Sequence, residues 1–478
     1  MPTSSPLHTI RPLSLLETGP SVYHSLGLYR CVIVSARYTL PTNTPPSNAA
    51  ILSALSNLID AHPMLRVGIQ GEGTNNPHFT HIPEMNLDEF IEFGACSDGS
   101  YEKAVEDVHA WSHNQQFQDV ESRPPWRVFV LRPGGSPAFE DVVFSFHHSL
   151  MDGVGGRQFH EKLLVELNNL APNPPCPSIF SFPQPPSLPE PQEAIIDHTA
   201  SLFFRAVNFW NGIRPEFLKP VRQIWTATPV DFARPHKACV RSVDISAPVV
   251  ASLLSATRSH GSSITGLLHA LILASLSHRV QDAPAFASYT PISMRPYISS
   301  AADPTLKDTL RVCVSGMLHE HSSSEVAAFR NPEANIDNLI WDHARRIKGE
   351  IKQRVSTLPA DEDLSMIQYI DWPSFLQKKD GQPRSKSWEV SNVGSLTVPT
   401  AEEGKRNISR VLFTNGPSAT SEPINISAAS ASGGALTLGI SWNDGVVENE
   451  VAEGLVGDLA GFTSLFHERG KFIDEQVV

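Results

Sequence analysis

The sequence predicts an α/β protein of two domains, and three observations carry that expectation. The chain has 478 residues, 41% of them hydrophobic, enough for a large core and too long for one ordinary domain. Strand-like and helix-like periodicities alternate in both halves. Between them, residues 171–193 hold prolines at positions 172, 174, 175, 177, 183, 185, 186, 189 and 191, a density that permits neither a regular helix nor a central strand. Residues 1–175 are therefore read as an N-terminal domain, 176–224 as a proline-rich crossover with a following helix, and 225–478 as a C-terminal domain.

Taken in order, residues 28–38 read as a strand, and Ile51, Leu52, Leu55, Leu58 and Ile59 fall on one helical face. Residues 127–131 and the run Asp141-Val142-Val143-Phe144 supply β-branched and aromatic strand formers, and Phe159, Leu163, Leu164 and Leu167 mark a helix with one apolar face. After the crossover, Ile196, Leu202, Phe203, Phe204, Val207, Phe209 and Trp210 form an apolar stripe. The stripe is read as a helix covering a domain edge, with weak membrane or lipid-droplet contact as the minority reading. Residues 249–259 and 265–278 read as helices, 312–318 as a strand and 336–355 as a charged amphipathic helix. Strands at 410–414, 424–430 and 436–442 and a closing helix near 447–466 complete the second domain.

Composition narrows the function. The formal net charge of −13 comes without a basic cluster, which disfavours nucleic acid or an anionic membrane as main partner and favours a small molecule. Five scattered cysteines, without a Cys-x-x-Cys pair, indicate neither a disulfide framework nor a zinc cluster. The N-terminus lacks a basic region followed by an apolar stretch, and no apolar run approaches the ~20 residues that span a bilayer. A soluble, cytoplasmic protein is expected.

The chemistry concentrates in Phe144-Ser145-Phe146-His147-His148-Ser149-Leu150-Met151-Asp152-Gly153, where a strand pattern ends in two histidines with a carboxylate four residues beyond the second. Side chains alternate along a strand, so His147 and His148 should point apart and only one should face a substrate. Gly153, Gly155 and Gly156 break the strand before the next helix. They do not make a dinucleotide loop, because Gln158 stands where Gly-x-Gly-x-x-Gly needs its last glycine. Close packing of the strand end on the helix explains them.

The motif His-His-x-x-x-Asp-Gly resembles the active-site signature of the acyl-CoA-dependent acyltransferases that share the chloramphenicol acetyltransferase fold. Collinear segments resemble the fungal alcohol acetyltransferase branch: Ala61-His62-Pro63-Met64-Leu65-Arg66, Pro125-Trp126-Arg127-Val128, Thr265-Gly266-Leu267-Leu268-His269-Ala270, Pro291-Ile292-Ser293-Met294-Arg295-Pro296 and Ser391-Asn392-Val393-Gly394. The Asp-Phe-Gly-Trp-Gly segment of the plant enzymes is missing, and Ser441-Trp442-Asn443-Asp444-Gly445 stands near its expected place.

The resemblance implies two chloramphenicol acetyltransferase-like domains, each a mixed sheet with flanking helices, with an active-site channel between them. It implies a monomeric O-acyltransferase that moves an acetyl group from acetyl-CoA, the co-substrate, to an alcohol. By the same comparison His148 is the general base, His147 a supporting residue, and Asp152 a structural partner of Arg295 through a bidentate contact. Gly153, Ser391 and Asn392 are candidates for shaping the site or binding substrate and coenzyme A. Asn392 is read either as a group that stabilises the oxyanion or orients the thioester, or as a turn asparagine.

Histidine fits the base role, since an unperturbed pKa near ~6.5 leaves the neutral form abundant at physiological pH. The rivals are N-acetylation, a condensation-type reaction on carrier-bound substrates, and a catalytically silent binding protein of the same fold. A metal hydrolase using His147, His148, Asp152 or His319-Glu320-His321 is disfavoured: adjacent strand residues diverge and no His-Glu-x-x-His pattern occurs, so no metal is expected. A serine hydrolase would need the absent Gly-x-Ser-x-Gly elbow.

Overall fold

The structure, a computed structural model, describes residues 8–96, 101–135, 137–171, 178–214, 223–299, 303–362, 364–397 and 403–473. Its two large sheets are built from β1 (Val32–Thr39), β2 (Ile91–Cys96), β3 (Trp126–Pro133), β4 (Phe139–Phe146), β5 (Ala238–Ile245), β6 (Phe286–Ser293), β7 (Val314–His321), β8 (Trp388–Leu396), β9 (Asn407–Asn415), β10 (Ile424–Ala431) and β11 (Leu436–Asn443). The first sheet has the order β9-β1-β4-β3-β2 and the second β5-β11-β10-β8-β6-β7. Both are mixed: β2 and β3 pair in parallel, as do β6 with β8 and β8 with β10, while the other neighbours are antiparallel.

β4 is central and buried along nearly its whole length, which explains its unbroken apolar run. The helix Gly153–Asn169 lies against this sheet, and its Phe159 stacks on Phe144 with ring centroids 3.7 Å apart. In the second half the helix Ile264–Arg279 is apolar on every face because Gly266 to Ser277 are all buried. The helices Ile336–Thr357 and Asn449–Arg469 flank it.

Three features depart from the expectations. The strand expected at 410–414 forms within β9, but it pairs antiparallel with β1 in the first sheet, although it follows the crossover in sequence. β-propensity marks a strand without choosing its partner. Gly439 on β11 makes the choice sterically possible, since any β-carbon there would overlap the Phe413 carbonyl of β9. The apolar stripe does form a helix, Leu202–Ile213, but it does not cover a domain edge: Leu202 is 86% exposed, Phe203 79% and Phe209 65%. A helix this apolar can turn only one stripe inward, and here that stripe is Phe204 and Asn208. In the crossover, Ile179–Ser181 pairs with Glu84–Asn86 as a short ribbon, while the prolines at 172, 174, 175 and 177 lie outside the described residues.

The helix Leu15–Ser25 escaped sequence reading because Gly19 and Pro20 interrupt its pattern, although Ser14 and Glu17 form a capping box. Tyr101–Asn114, β5, β6 and β8 were missed as well.

Candidate active site

β4 stops at Phe146, and the two histidines that follow part company. His148 turns into a cavity of about 270 Å³ whose walls come from both halves of the chain, among them Asp152, Gly153, Tyr289, Ser391 and Asn415. Its Nδ1–H donates to the Met151 carbonyl at 3.1 Å. The network thereby assigns the proton to Nδ1 and leaves the Nε2 lone pair without a partner among the described residues. Burial lowers the His148 pKa, while the Met151 carbonyl and the Asp152 charge oppose that shift. A neutral imidazole with one nitrogen pinned and the other free is the form a general base requires.

Asp152 makes three hydrogen bonds at the edge of the cavity. Oδ1 accepts from the Gly155 N–H at 2.8 Å and so caps the helix Gly153–Asn169. Oδ2 accepts from Arg295 Nη1 at 2.7 Å and from the Cys313 N–H at 2.9 Å. Both side chains of the ion pair are buried. The contact is not the bidentate one expected: Arg295 Nη2 donates to the Arg311 carbonyl at 3.0 Å, because Oδ1 is already spent on the cap. The guanidinium thus ties the His148 loop to two positions of the second half at once.

His147 faces the other way, fully buried. Its Nδ1 accepts from the Ser149 N–H at 3.0 Å, so Nε2 carries the proton and donates to Glu72 Oε1 at 3.2 Å. His24 repeats the arrangement: Nε2 accepts from the Phe117 N–H at 3.1 Å, and Nδ1–H donates to the same Glu72 oxygen at 2.9 Å. His24, Glu72 and His147 have the spacing of a metal site. The donor set does not fit one, because the nitrogens that meet the carboxylate carry protons and not lone pairs. Glu72 instead locks the strand end behind His148. Burial pushes its carboxyl up, but the hydrogen bonds from His147 and His24 prevail and hold it at about 2.

This packing has a consequence for acid stability. Burial pushes His147 and His160 down to about 4 and His113 to about 3. Their unfolded-state value is ~6.5, so below that pH the unfolded chain binds more protons, and each group withdraws about 1.4 kcal/mol of stability per pH unit until its folded value is reached. Glu72, lowered in the folded state, works in the same direction below pH ~4.3. Circular dichroism melts should show stability falling steeply as the pH drops from ~6.5 to ~4. An unchanged midpoint across that window would contradict the burial described here.

Gly153 is sterically required: a β-carbon there would lie 2.9 Å from both Phe413 Cζ and Val393 Cγ1, so the two sheets close over it. Ser391 lines the cavity. Asn392 sits on the same wall, but its side chain is engaged locally, Oδ1 accepting from the Gly394 N–H at 2.9 Å and Nδ2 donating to Thr265 Oγ1 at 3.2 Å. Ser441 to Gly445 do not line the cavity; Trp442 is buried in the second core. His319 and His321 lie on β7, where Nε2 of each meets the hydroxyls of Thr290 and Ser288, and Nδ1 of His319 reaches Glu350 at 2.6 Å. That buried network holds β6 from behind and does not reach His148.

Sequence reading missed a second polar group, which reaches the cavity through Asn415 and Glu389. Tyr29, whose ring is 6.0 Å from that of His148, donates its hydroxyl to Asn415 Oδ1. Asn415 Nδ2 donates to Glu389 Oε1 at 3.0 Å. Glu389 could have been found, because strand alternation puts it on the face of Ser391. Burial pushes the thiols of Cys31 and Cys313 up to about 12, so neither is activated.

The chain matches the profile of the family described as "Alcohol acetyltransferase" over residues 15–468. It is 29% identical to "Probable alcohol acetyltransferase FCK4" of Fusarium pseudograminearum, with 94% of each chain covered. It is 24% identical to "Probable alcohol acetyltransferase crmB" of Aspergillus fumigatus, covering 91% of this chain and 95% of the other. Its fold is that of the TRI3 trichothecene 15-O-acetyltransferase of Fusarium sporotrichioides, with TM-score 0.67 at 13% identity over 93% and 94% of the two chains. The first condensation domain of the CDA synthetase superposes with TM-score 0.60 at 12% identity over 98% and 99%. With a family match that runs through both halves of the cavity, the chain belongs to the alcohol acetyltransferase family and is an acyltransferase that acts on a hydroxyl group.

Proposed function

We propose that the protein transfers an acetyl group from acetyl-CoA to the hydroxyl of a secondary-metabolite alcohol, with His148 as the general base. The observation that carries this reading is His148 on the wall of a cavity shared by both halves, Nδ1 held by the Met151 carbonyl and Nε2 free. Nε2 takes the proton of the acceptor hydroxyl as its oxygen attacks the thioester carbonyl carbon. The tetrahedral oxyanion collapses, the carbon–sulfur bond breaks, and the thiolate of coenzyme A takes the proton back from Nε2. Ser391, on the opposite wall, is the side-chain donor offered to the oxyanion. Asp152 and Arg295 position the loop and stay out of the proton transfer. General-base help of this kind contributes typically ~10²–10⁴ in rate.

The same reading takes the chain as a cytoplasmic monomer, because one chain supplies both walls of the cavity. Among the described residues no helix is long and apolar enough to cross a membrane. The exposed face of Leu202, Phe203, Phe209 and Trp210 is where weak contact with a membrane or lipid droplet would occur.

Thiol release from acetyl-CoA, measured with simple, terpenoid and polyketide alcohols and with amines, tests the assignment. Release that depends on an alcohol and yields its acetate ester is the expected result. Release with amines alone, giving amides, would replace O-acetylation with N-acetylation.

A further inference from the structure

The cavity carries a carboxyl that the transfer chemistry does not use. Glu389, 6% exposed, lines the cavity together with His148 and Ser391. It belongs to β8 and stands beside Tyr289 of β6 in register. Asn415, at the end of β9, reaches it from the first sheet. The carboxyl thus sits where the two halves meet, as His148 does.

Its charge environment is unbalanced. Lys386 is committed: Nζ is 2.9 Å from Glu422 Oε2 and 4.0 Å from the Tyr289 ring centroid. Arg384, the other cation near Glu422, spends its guanidinium on the Thr228 and Ala419 carbonyls. Among the described residues no cation pairs with Glu389, and a buried carboxyl without a partner cation retains its proton. Burial, followed by the Glu422 charge, pushes Glu389 up to about 8, whereas Lys386 holds Glu422 low. The other titratable groups on this cavity are Tyr289, Glu362, Asp152 and His148, and Tyr29 stands behind Asn415. Asp152 is paired with Arg295, and Glu362 with His198 at 2.9 Å. Because Glu389 Oε1 accepts from Asn415, the acid proton resides on Oε2 as a hydrogen-bond donor.

Building on the acetyl-transfer reading, we propose that Glu389, oriented by Asn415, is a specificity residue whose neutral carboxyl donates a hydrogen bond to a second oxygen of the acceptor. The acceptor class is then an oxygenated alcohol: a hydroxy-ketone, hydroxy-ester or hydroxy-ether. A purely hydrocarbon alcohol would leave that buried donor unanswered, which a site of this kind penalises.

The test compares wild type, Glu389→Gln and Glu389→Leu on a ladder of hydroxy-ketones of graded spacing and on the parent alcohols without the ketone. The Leu variant should raise KM for the preferred hydroxy-ketone about tenfold and lower it for the plain alcohol, which no longer faces an unanswered donor. The Gln variant, which still offers an N–H, should keep most of the discrimination. The wild-type preference should fade as pH rises past about 8, and the Gln variant should lack that pH dependence.

Equal discrimination by wild type and the Leu variant would overturn the proposal. So would a Gln variant as impaired as the Leu variant together with preference for amino alcohols, which would mean an ionised carboxylate. An infrared difference spectrum of wild type against Glu389→Gln at neutral pH supplies a readout independent of turnover: it should contain the C=O band of a protonated carboxyl, and its absence overturns the neutral-donor assignment. If that band is present and wild type acetylates no alcohol at all, the fault lies with the acetyl-transfer reading instead.

Discussion

Replacing His148 with alanine is expected to lower turnover at least ~10²-fold while leaving the protein folded. The side chain stands on a cavity wall, and its one hydrogen bond goes to a carbonyl three residues away. Its removal opens no packed core, so the loss should appear in kcat with little change in the melting temperature. His147→Ala should do the reverse. That ring is enclosed among His24, Phe117 and Glu72, so its deletion leaves a void and a half-buried carboxylate short of a donor, and the variant should melt earlier. Normal turnover by a folded His148 variant, checked by circular dichroism, would show that another group removes the proton.

The second large effect concerns Asp152. Asparagine at this position is a good helix cap by itself, yet it cannot satisfy the surroundings. Three donors converge on the carboxylate, the Gly155 N–H on one oxygen and Arg295 Nη1 with the Cys313 N–H on the other. The amide must therefore turn its NH₂ toward at least one donor and leave Arg295 as a buried charge without its partner. Losing one member of such a pair costs roughly 3–5 kcal/mol, and activity should fall as well because the His148 loop loses its anchor. A double-mutant cycle with Arg295→Met should give strongly non-additive unfolding free energies; additivity would rule out the direct interaction.

How much of this could be read from the chain alone differs from residue to residue. The divergence of His147 and His148 was legible, since alternation at a strand end is a local property. The partners of His147 were not: Glu72 lies on a hairpin turn and His24 on the helix Leu15–Ser25, and nothing local in their sequence announces that they meet. Arg295 was reached through the family resemblance. The geometry of its contact had to come from the structure, because one donor of the guanidinium is claimed by a main-chain carbonyl.

The same division holds for the fold. β9 was visible as a strand, but its partner β1 lies far away in sequence, and local pattern does not choose between partners. The helix Leu202–Ile213 was visible as apolar, yet apolarity by itself does not say which stripe turns inward. Glu389 stood within reach of sequence reasoning through its alternation with Ser391, but its neutral state follows from Lys386 being claimed by Glu422, a matter of tertiary contact.

The central claim is direct transfer: the acceptor oxygen attacks the thioester with His148 as base, and no acetyl-enzyme forms. Intact-protein mass spectrometry after exposure to acetyl-CoA without an acceptor tests it most directly. With the thiols of Cys31 and Cys313 held protonated and, among the described residues, no serine hydrogen-bonded to His148, the protein mass should stay unchanged, and initial rates should intersect as for a ternary complex. A stoichiometric acetyl adduct that disappears when alcohol is added, with parallel-line kinetics, would contradict the role assigned to His148 and point to a covalent intermediate.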